Sequence, residues 1–510
     1  MNKTLLNTFL AIFSGILAFL AFPPFEYSFL AWIFLIPLLF LVKKARGVKS
    51  AFFYSYIAGI VFFSVLLIWL VNVSVPGMVI LVLVLALFYG LFGLTAKYVF
   101  NKPTNILILP FIWCVLEFVR SHLFTGFPWA LLAYSQYKNL SLIQIADISG
   151  AYGVSFLVVC FNVALFSLFT RARKKLVYML AVLMLLIIST VYGRDKLDAD
   201  CERGSLRASV IQANIPQNYK WDVSFAEEII KEYCELTQKA VEDGPNLIVW
   251  PETSYPYLLG ESNFAEEINT LAEEKGIPIL FGAVYEKDNK FYNSAFLTKG
   301  GEKSDYIYHK THLVPFGEYV PFKKCLSFLK KYIDKPIGDF ERGREFTLFP
   351  LKNTTIVSGE GIRTRQTDFY KFGVLICFED IFPYVTRNFA ARGADFVINI
   401  TNDAWFGKSA ASRQHLQASV FRAVENRLPV IRSANTGISC FIDSSGRITS
   451  KVETDGSEIF VAGYKTDFIH IYPGGKTYYT LYGDIFVYFC IFMILLVGLV
   501  ENINFRLRLK

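Results

Sequence analysis

The run MVILVLVLALFYGLFGL occupies residues 78–94 and contains no charged side chain. With its flanking residues it reaches the length of about 20 apolar residues that a helix needs to cross the hydrocarbon core of a membrane. The whole chain of 510 residues is also rich in apolar residues, since 54% of its residues are hydrophobic and 16% are aromatic. Soluble domains contain less apolar and more charged sequence, so these figures predict a polytopic membrane protein.

Seven further apolar runs flank this one along the chain. The quoted run, extended to 78–99, predicts one spanning helix. The other seven runs predict spanning helices at 5–22, 28–43, 51–72, 105–119, 151–170, 176–193 and 482–501. The first run is not a cleaved signal peptide, because it is long, lacks a small-x-small cleavage site and is followed at once by another span. The chain is therefore divided into a membrane domain at 1–193 with seven spans, a polar domain at 194–481, and an eighth span with a short basic tail at 482–510.

Positive charge predicts the orientation of these spans. Lys and Arg precede the first span and follow the second, fourth, sixth and last, whereas the short loops 23–27 and 73–77 contain neither. Because Lys and Arg are enriched on the cytoplasmic side, both termini are predicted to be cytoplasmic and segment 194–481 to lie outside. The loop 120–150 contains Trp129 and Tyr134, amphipathic aromatics that favour the membrane interface, and either a plain interfacial loop or a lipid-handling role fits it equally well.

Segment 194–481 alternates short β-rich runs with charged helical stretches, which indicates a layered α/β fold. Strands are predicted at 206–213, 246–250, 278–284, 291–298, 372–378, 395–400, 429–433, 438–443 and 458–463, and helices at 222–242, 263–275, 383–392 and 411–427. No basic face or motif typical of a nucleic-acid binder is present. His309 and His312 are not accompanied by a carboxylate or Cys ligand motif, so no metal and no cofactor is predicted.

Three reactive side chains in this segment each follow an apolar β run. Glu252 lies in Trp250-Pro251-Glu252-Thr253, Lys310 lies in His309-Lys310-Thr311-His312, and Cys377 opens Cys377-Phe378-Glu379-Asp380. A thiolate is a strong nucleophile, a carboxylate can take and return its proton, and an ammonium can stabilise the thiolate and a tetrahedral oxyanion. Such a trio can form a thioester and pass the acyl group on. Taken singly, however, the Cys could be core packing, the Glu a loop carboxylate and the Lys a solvated or structural charge.

The ordered motifs resemble those of the nitrilase superfamily, and more narrowly those of its membrane branch, the apolipoprotein N-acyltransferases. The resemblance rests on Gln212-Ala213-Asn214-Ile215-Pro216-Gln217 with Lys220-Trp221, on the three motifs above, on Leu313 to Pro321 and on Thr401 to Gly407. It covers nearly the whole chain and implies a polytopic α-helical membrane domain plus an α/β nitrilase-like αββα sandwich.

The resemblance also implies residue roles. Cys377 would be the nucleophile, Glu252 the general base and Lys310 the oxyanion stabiliser, with Glu318 and Glu379 supporting them. Trp221, Phe316, Phe378 and Trp405 are the candidates for substrate contact. The family's nucleophile motif often has Tyr after the Cys, whereas this chain has Phe378, which keeps the ring and loses the hydroxyl.

The reaction implied is a ping-pong N-acyl transfer in lipoprotein maturation at a bacterial cytoplasmic (inner) membrane, with the catalytic domain on the periplasmic side. The donor would be a phospholipid, by family preference phosphatidylethanolamine, and the acceptor the α-amine of diacylglyceryl-cysteine in an apolipoprotein. Two alternatives are open from the residues alone. A membrane-anchored amidase or nitrilase would resolve the thioester with water, and a transporter or receptor would only bind a ligand. Eight spans argue for lipid handling, and the scarcity of ionisable residues within them argues against transport.

Overall fold

The computed structural model of the protein describes residues 3–101, 106–170, 174–198, 204–220, 222–260, 265–300, 306–320, 339–359, 362–471 and 476–509. The chain forms two compact units. The helical unit comprises Met1–Ala199, Ser409–Phe421 and Leu481–Lys510, and the sheet unit comprises Asp200–Lys408 and Arg422–Thr480.

The helical unit is built from apolar helices. They are α1 (Lys3–Leu20), α2 (Leu35–Lys44), α3 (Val48–Leu66), α4 (Val75–Phe100), α5 (Leu109–His122), α6 (Leu140–Ile143), α7 (Ala146–Leu168) and α8 (Lys175–Asp198), followed near the C-terminus by Ile485–Leu509. Among the described residues α1, α3, α4, α7 and α8 are long and apolar enough to cross a membrane. The number of membrane crossings stays a prediction.

The second predicted span differs from the observed structure. A 3-10 turn at Ser28–Trp32 precedes α2, which has only 10 residues, so no continuous helix runs over 28–43. The break is satisfied by Asn162, whose Oδ1 accepts from the Leu35 backbone N–H at 3.0 Å and whose Nδ2 donates to the Ala31 carbonyl at 2.9 Å. An unpaired backbone group in an apolar interior is costly, so this side chain stabilises the interruption.

The loop after α5 is folded into the helical unit. Trp129 and Tyr134, expected at the membrane interface, are buried in this unit, at 2% and 1% exposure. The loop turns into the unit because the Arg120 guanidinium donates hydrogen bonds to the carbonyls of Phe127 and Trp129, at 3.2 and 2.7 Å. A buried cation needs such acceptors, so it draws the loop toward itself.

The sheet unit contains two stacked sheets. Its strands are β1 (Gly204–Gln212), β2 (Leu247–Val249), β3 (Leu259–Gly260), β4 (Ile279–Lys287), β5 (Lys290–Thr298), β6 (Ile307–His309), β7 (Phe349–Gly359), β8 (Ile362–Ile376), β9 (Phe396–Thr401), β10 (Val430–Ala434), β11 (Cys440–Ile442), β12 (Ile448–Lys451) and β13 (Gly463–Ile471). The first sheet has the order β13-β1-β2-β4-β5-β6, with β3 beside β4, and the second has the order β12-β11-β10-β9-β8-β7.

Helices cover the outer faces of the two sheets. Helices α9 (Ala226–Val241) and α10 (Glu266–Lys275) pack on the first sheet through a core that includes Tyr233, Trp250 and Phe281. On the second sheet Phe389 of the helix Pro383–Ala391 lies against Gly373, where an added Cβ would come within 2.3 Å of the ring. The two sheets meet where the Ser433 hydroxyl of β10 donates to the Ile211 and Val249 carbonyls at 3.2 and 3.1 Å. The predicted nitrilase-like α/β sandwich is thereby confirmed.

One predicted strand is wrong. The extended run expected at 458–463 begins only at Gly463, because Phe460 has a left-handed φ of 55° that interrupts an extended chain. Strands β3, β6, β7 and β12 are absent from the predicted set. The helix Ala411–Asn426 agrees with its predicted range to within a residue at its C-terminal end.

Candidate active site

The three predicted catalytic residues follow three different strands of the sheet unit. Glu252 follows β2 and Lys310 follows β6, both in the first sheet, whereas Cys377 follows β8 in the second sheet. All three side chains are buried, at 7%, 1% and 9% exposure respectively. The site therefore lies between the sheets, at strand ends, where α/β folds commonly build their sites.

Lys310 lies between two carboxylates. Its Nζ is 2.9 Å from Glu318 Oε1 and 3.6 Å from Glu252 Oε1. Burial alone would lower the pKa of Lys310, but the Glu318 and Glu252 carboxylates together raise it above the ordinary lysine value. Lys310 is therefore a permanent cation at neutral pH, suited to stabilising an oxyanion.

Asn293 on β5 joins the same two carboxylates from the other side. Its Nδ2 donates to Glu252 Oε1 at 2.8 Å and to Glu318 Oε1 at 3.0 Å, and its main-chain carbonyl accepts from the Lys310 backbone N–H at 2.9 Å. Glu318 Oε2 accepts from the Val314 backbone N–H at 2.7 Å. Glu252 Oε1 therefore has a hydrogen bond from the neutral amide of Asn293. The Lys310 ammonium is near the same oxygen but is not tightly paired with it.

Cys377 occupies a sharp turn. Its φ of 55° is left-handed, and it opens the 3-10 turn Cys377–Ile381 directly after β8. A positive φ at a residue other than Gly costs free energy, and such residues are often found at functional sites. Burial raises the pKa of the Cys377 thiol, and the nearby Glu252 charge raises it further, while Lys310 and a hydrogen bond with Thr401 lower it. The resting group is a thiol, so its attack requires a base.

Glu379 supports the site through its hydrogen bonds. It is fully buried, and its two oxygens accept from the backbone N–H groups of Thr311, His312 and Ile376 at 2.6, 3.0 and 2.8 Å. The Tyr308 hydroxyl donates to both of its oxygens, at 2.8 and 3.0 Å. The carboxylate thus ties the segment after Lys310 to the turn that holds Cys377.

A buried ionic cluster contacts the turn that begins at Cys377. Arg432 Nη1 is 2.9 Å from both Asp380 Oδ2 and Asn399 Oδ1, and its Nη2 is 3.4 Å from Asp403 Oδ2. Asn399 Nδ2 in turn donates to the Cys377 carbonyl at 3.0 Å. Breaking a buried ion pair typically costs about 3–5 kcal/mol, so this cluster fixes the strained backbone of Cys377 firmly.

The four residues predicted to contact substrate have different environments. Phe316 is 41% exposed and has a left-handed φ of 62°. Phe378 is half-buried, with its ring 5.2 Å from that of Phe382. Trp405 is half-buried. Trp221 lies outside the described residues. Their roles in substrate contact stay predictions.

The sequence interpretation missed three site residues, namely Asn293, Thr401 and Lys220. Asn293 had a usable signal, because an Asn in the middle of the apolar strand 291–298 needs buried partners. Lys220 appeared only as part of a motif, yet its Nζ donates to the Glu252 carbonyl at 2.6 Å. Thr401, which ends β9, likewise appeared only as the first residue of a motif.

The chain is similar in sequence to known protein families. The family model of the apolipoprotein N-acyltransferase N-terminal domain matches residues 14–164, and that of carbon-nitrogen hydrolases matches 207–467. The chain is 38% identical to the apolipoprotein N-acyltransferase of Geobacter metallireducens, over 94% of this chain and 92% of that protein. It is 31% identical to the same enzyme of Pasteurella multocida, over 96% and 94%. A solved amidase from Nesterenkonia sp. aligns over 52% of this chain and 92% of its own, at 18% identity and a TM-score of 0.35.

Proposed function

The chain belongs to the apolipoprotein N-acyltransferase family, and from that premise we propose that its acyl transfer proceeds through a thioester on Cys377, with Glu252 as general base and Lys310 as oxyanion stabiliser. The observation that carries this mechanism is the buried set itself. A thiol that rests protonated, a carboxylate held by Asn293, and a lysine kept cationic by two carboxylates meet between the two sheets.

In the first half-reaction Glu252 takes the thiol proton as Cys377 Sγ forms a bond to the ester carbonyl carbon of a phospholipid. The oxyanion develops within reach of the Lys310 ammonium, which stabilises it electrostatically. As the tetrahedral intermediate collapses, the bond between the acyl carbon and the glyceryl oxygen breaks, and the departing alkoxide takes the proton from Glu252. The products are a lysophospholipid and an acylated Cys377.

In the second half-reaction the free α-amine of the diacylated lipoprotein attacks the thioester carbonyl. The N–C bond forms, the C–S bond breaks, and Glu252 transfers the proton of the attacking nitrogen to the departing thiolate. Glu318 and Glu379 act on this cycle indirectly, because Glu318 pairs with Lys310 and Glu379 links the backbone of the two reactive segments. Water in place of the amine would make the same site a hydrolase.

The chain is a bacterial membrane protein with a lipoprotein substrate. We propose further that phosphatidylethanolamine is the donor, that the sheet unit faces the periplasmic side, and that both termini are cytoplasmic. The support for this orientation is the distribution of Lys and Arg around the apolar runs. An accessible Cys introduced at the exposed Lys231 would test it, because a membrane-impermeant maleimide should then label intact spheroplasts.

The decisive experiment is incubation of the purified protein with phosphatidylethanolamine labelled in one acyl chain, followed by intact-mass analysis. An acyl adduct on Cys377 that disappears when a diacylated lipopeptide is added, with acylated lipopeptide appearing, is the expected result. Cys377→Ser should form no labile thioester, whereas Cys234→Ser, a change at a half-buried thiol on α9, should behave as wild type. Release of free fatty acid without peptide acylation would refute transfer to the amine.

A further inference from the structure

The second half-reaction leaves one proton without an acceptor. At neutral pH an α-amine is largely an ammonium, since its ordinary pKa is about 7.7–8.0. It must lose one proton before it can attack and a second as the amide forms. Glu252 can carry only the second proton, which it returns to the departing thiolate. A further base near the site would receive the first proton and so allow the protonated form of the amine, which predominates at pH 7, to be used.

Lys220 is the buried amine in the position to do this. It is 5% exposed, and its Nζ donates to the main-chain carbonyl of Glu252 at 2.6 Å. It also lines a pocket of the sheet unit with Thr253, Tyr255 and Phe291. Lys220 therefore connects the backbone of the catalytic carboxylate to an open space next to it.

The charge environment of Lys220 differs from that of Lys310. The ionisable groups that act on Lys220 are Glu252 and Cys377, and both favour its charged form, but burial outweighs them and lowers its pKa to about 8. An amine with this pKa is neutral in about one-tenth of molecules at pH 7 and matches the ordinary α-ammonium, so proton transfer between the two is almost isoenergetic. Lys310, by contrast, is kept charged by its two carboxylates.

We infer that Lys220 is a second base of the site, which accepts the first proton of the acceptor ammonium before that amine attacks the thioester. The inference rests on the proposed function. In this step an N–H bond of the acceptor ammonium breaks, an N–H bond forms on the lone pair of neutral Lys220, and the positive charge moves to Lys220. Lys220 keeps its hydrogen bond to the Glu252 carbonyl and later releases the proton to water through the pocket.

The test compares two nucleophiles on the same acyl-enzyme. Wild type and Lys220→Met are acylated with labelled phosphatidylethanolamine, freed of donor, and treated at pH 7 either with a diacylated lipopeptide or with hydroxylamine. Hydroxylamine is a much weaker base than an α-amine and is already neutral at this pH, so it needs no first deprotonation. The substitution could also disturb Glu252 and so slow the attack of both nucleophiles. Dividing the lipopeptide rate by the hydroxylamine rate removes such a shared effect.

We expect the ratio of lipopeptide rate to hydroxylamine rate to fall in Lys220→Met, by at most about tenfold, since about one-tenth of the α-amine is neutral at pH 7 even without a base. The ratio should recover toward wild type at pH 9, where the lipopeptide amine is already neutral. Lys220→Arg, which retains a donor but is no base, should show the same loss. Lys231→Met, a change at an exposed lysine, is the matched control and should leave the ratio unchanged.

Two failures are distinguishable. An unchanged ratio in Lys220→Met at pH 7, with a normal acyl-enzyme, overturns the role of Lys220 and leaves the thioester mechanism standing. Absence of an acyl-enzyme in the wild type overturns the proposed function itself. A loss that persists equally at pH 9 also overturns the inference, because it would reflect altered packing and not a missing base.

Discussion

Replacing Asn293 by Ala should slow thioester formation about ten- to hundredfold. The amide of Asn293 holds Glu252 Oε1 at 2.8 Å, while the Lys310 ammonium lies 3.6 Å from the same oxygen. Without the amide the carboxylate is free to close on the lysine, which withdraws the base from Cys377. A hydrogen bond to a charged group contributes about 1.5–3 kcal/mol, and each 1.36 kcal/mol corresponds to about tenfold in rate.

The same substitution should lower the free energy of unfolding by about 2–3 kcal/mol. Two charge-assisted hydrogen bonds are lost, at about 1.5–3 kcal/mol each. Part of that loss is offset, because Asn293 Oδ1 has no hydrogen-bond partner among the described residues and its removal returns about 1–3 kcal/mol. A decrease of this size leaves most of the protein folded, so unfolding would not explain a ten- to hundredfold slower acylation.

Single-turnover acylation with labelled phospholipid, quenched in acid and followed by intact mass, measures the rate, and thermal unfolding in the same detergent measures stability. Asn246→Ala is a suitable control, because Asn246 Oδ1 accepts a hydrogen bond from the backbone N–H of Arg207 at 2.9 Å and Asn246 lies at the end of β2 opposite to Glu252. It should lower stability without slowing acylation of the folded protein. A wild-type acylation rate in folded Asn293→Ala would refute the idea that this amide orients the base.

Three further outcomes are expected. Because the Glu252 charge raises the pKa of Cys377, Glu252→Gln should shift the pH midpoint of Cys377 alkylation by iodoacetamide downward even though acylation is lost, and an upward shift would contradict the assigned contact. Glu379→Gln should destabilise the fold by about 3 kcal/mol or more, visible as a large drop in melting temperature, because its amide would face backbone donors that now bond a carboxylate. Gly282→Ala should lower the acylation rate, because its Cβ would lie 2.5 Å from the Thr253 nitrogen and 2.9 Å from the Glu252 Cα and push the base-bearing segment aside; normal single-turnover rates would exclude that effect.

The α/β sandwich could be predicted from the alternation of apolar β runs with helical stretches, and the three motifs could be located because each follows an apolar run, whereas the roles of Glu252, Lys310 and Cys377 came from the family resemblance and stay predictions. The sequence did not allow β7 to be predicted, since its second half, Lys352 to Gly359, is mostly polar and resembles a loop. Nor could the contacts of Asn293 be read from spacing, because they join residues 41 and 25 positions away. The broken second span escaped prediction for a similar reason, since the side chain that satisfies the break is 127 positions along the chain.

The two buried lysines illustrate how one interior can set opposite protonation states. Burial disfavours the charged form of both, but Lys310 faces the Glu318 and Glu252 carboxylates directly, and its pKa rises, whereas Lys220 donates to a main-chain carbonyl, and its pKa falls to about 8. Groups of one chemical type whose environments separate their pKa values commonly take different roles in proton transfer. The proposed transfer to an amine uses both kinds of lysine, Lys310 as a fixed cation for the oxyanion and Lys220 as an exchangeable base for the ammonium. Hydrolysis at the same site would use only the first, because the water nucleophile has no ammonium form.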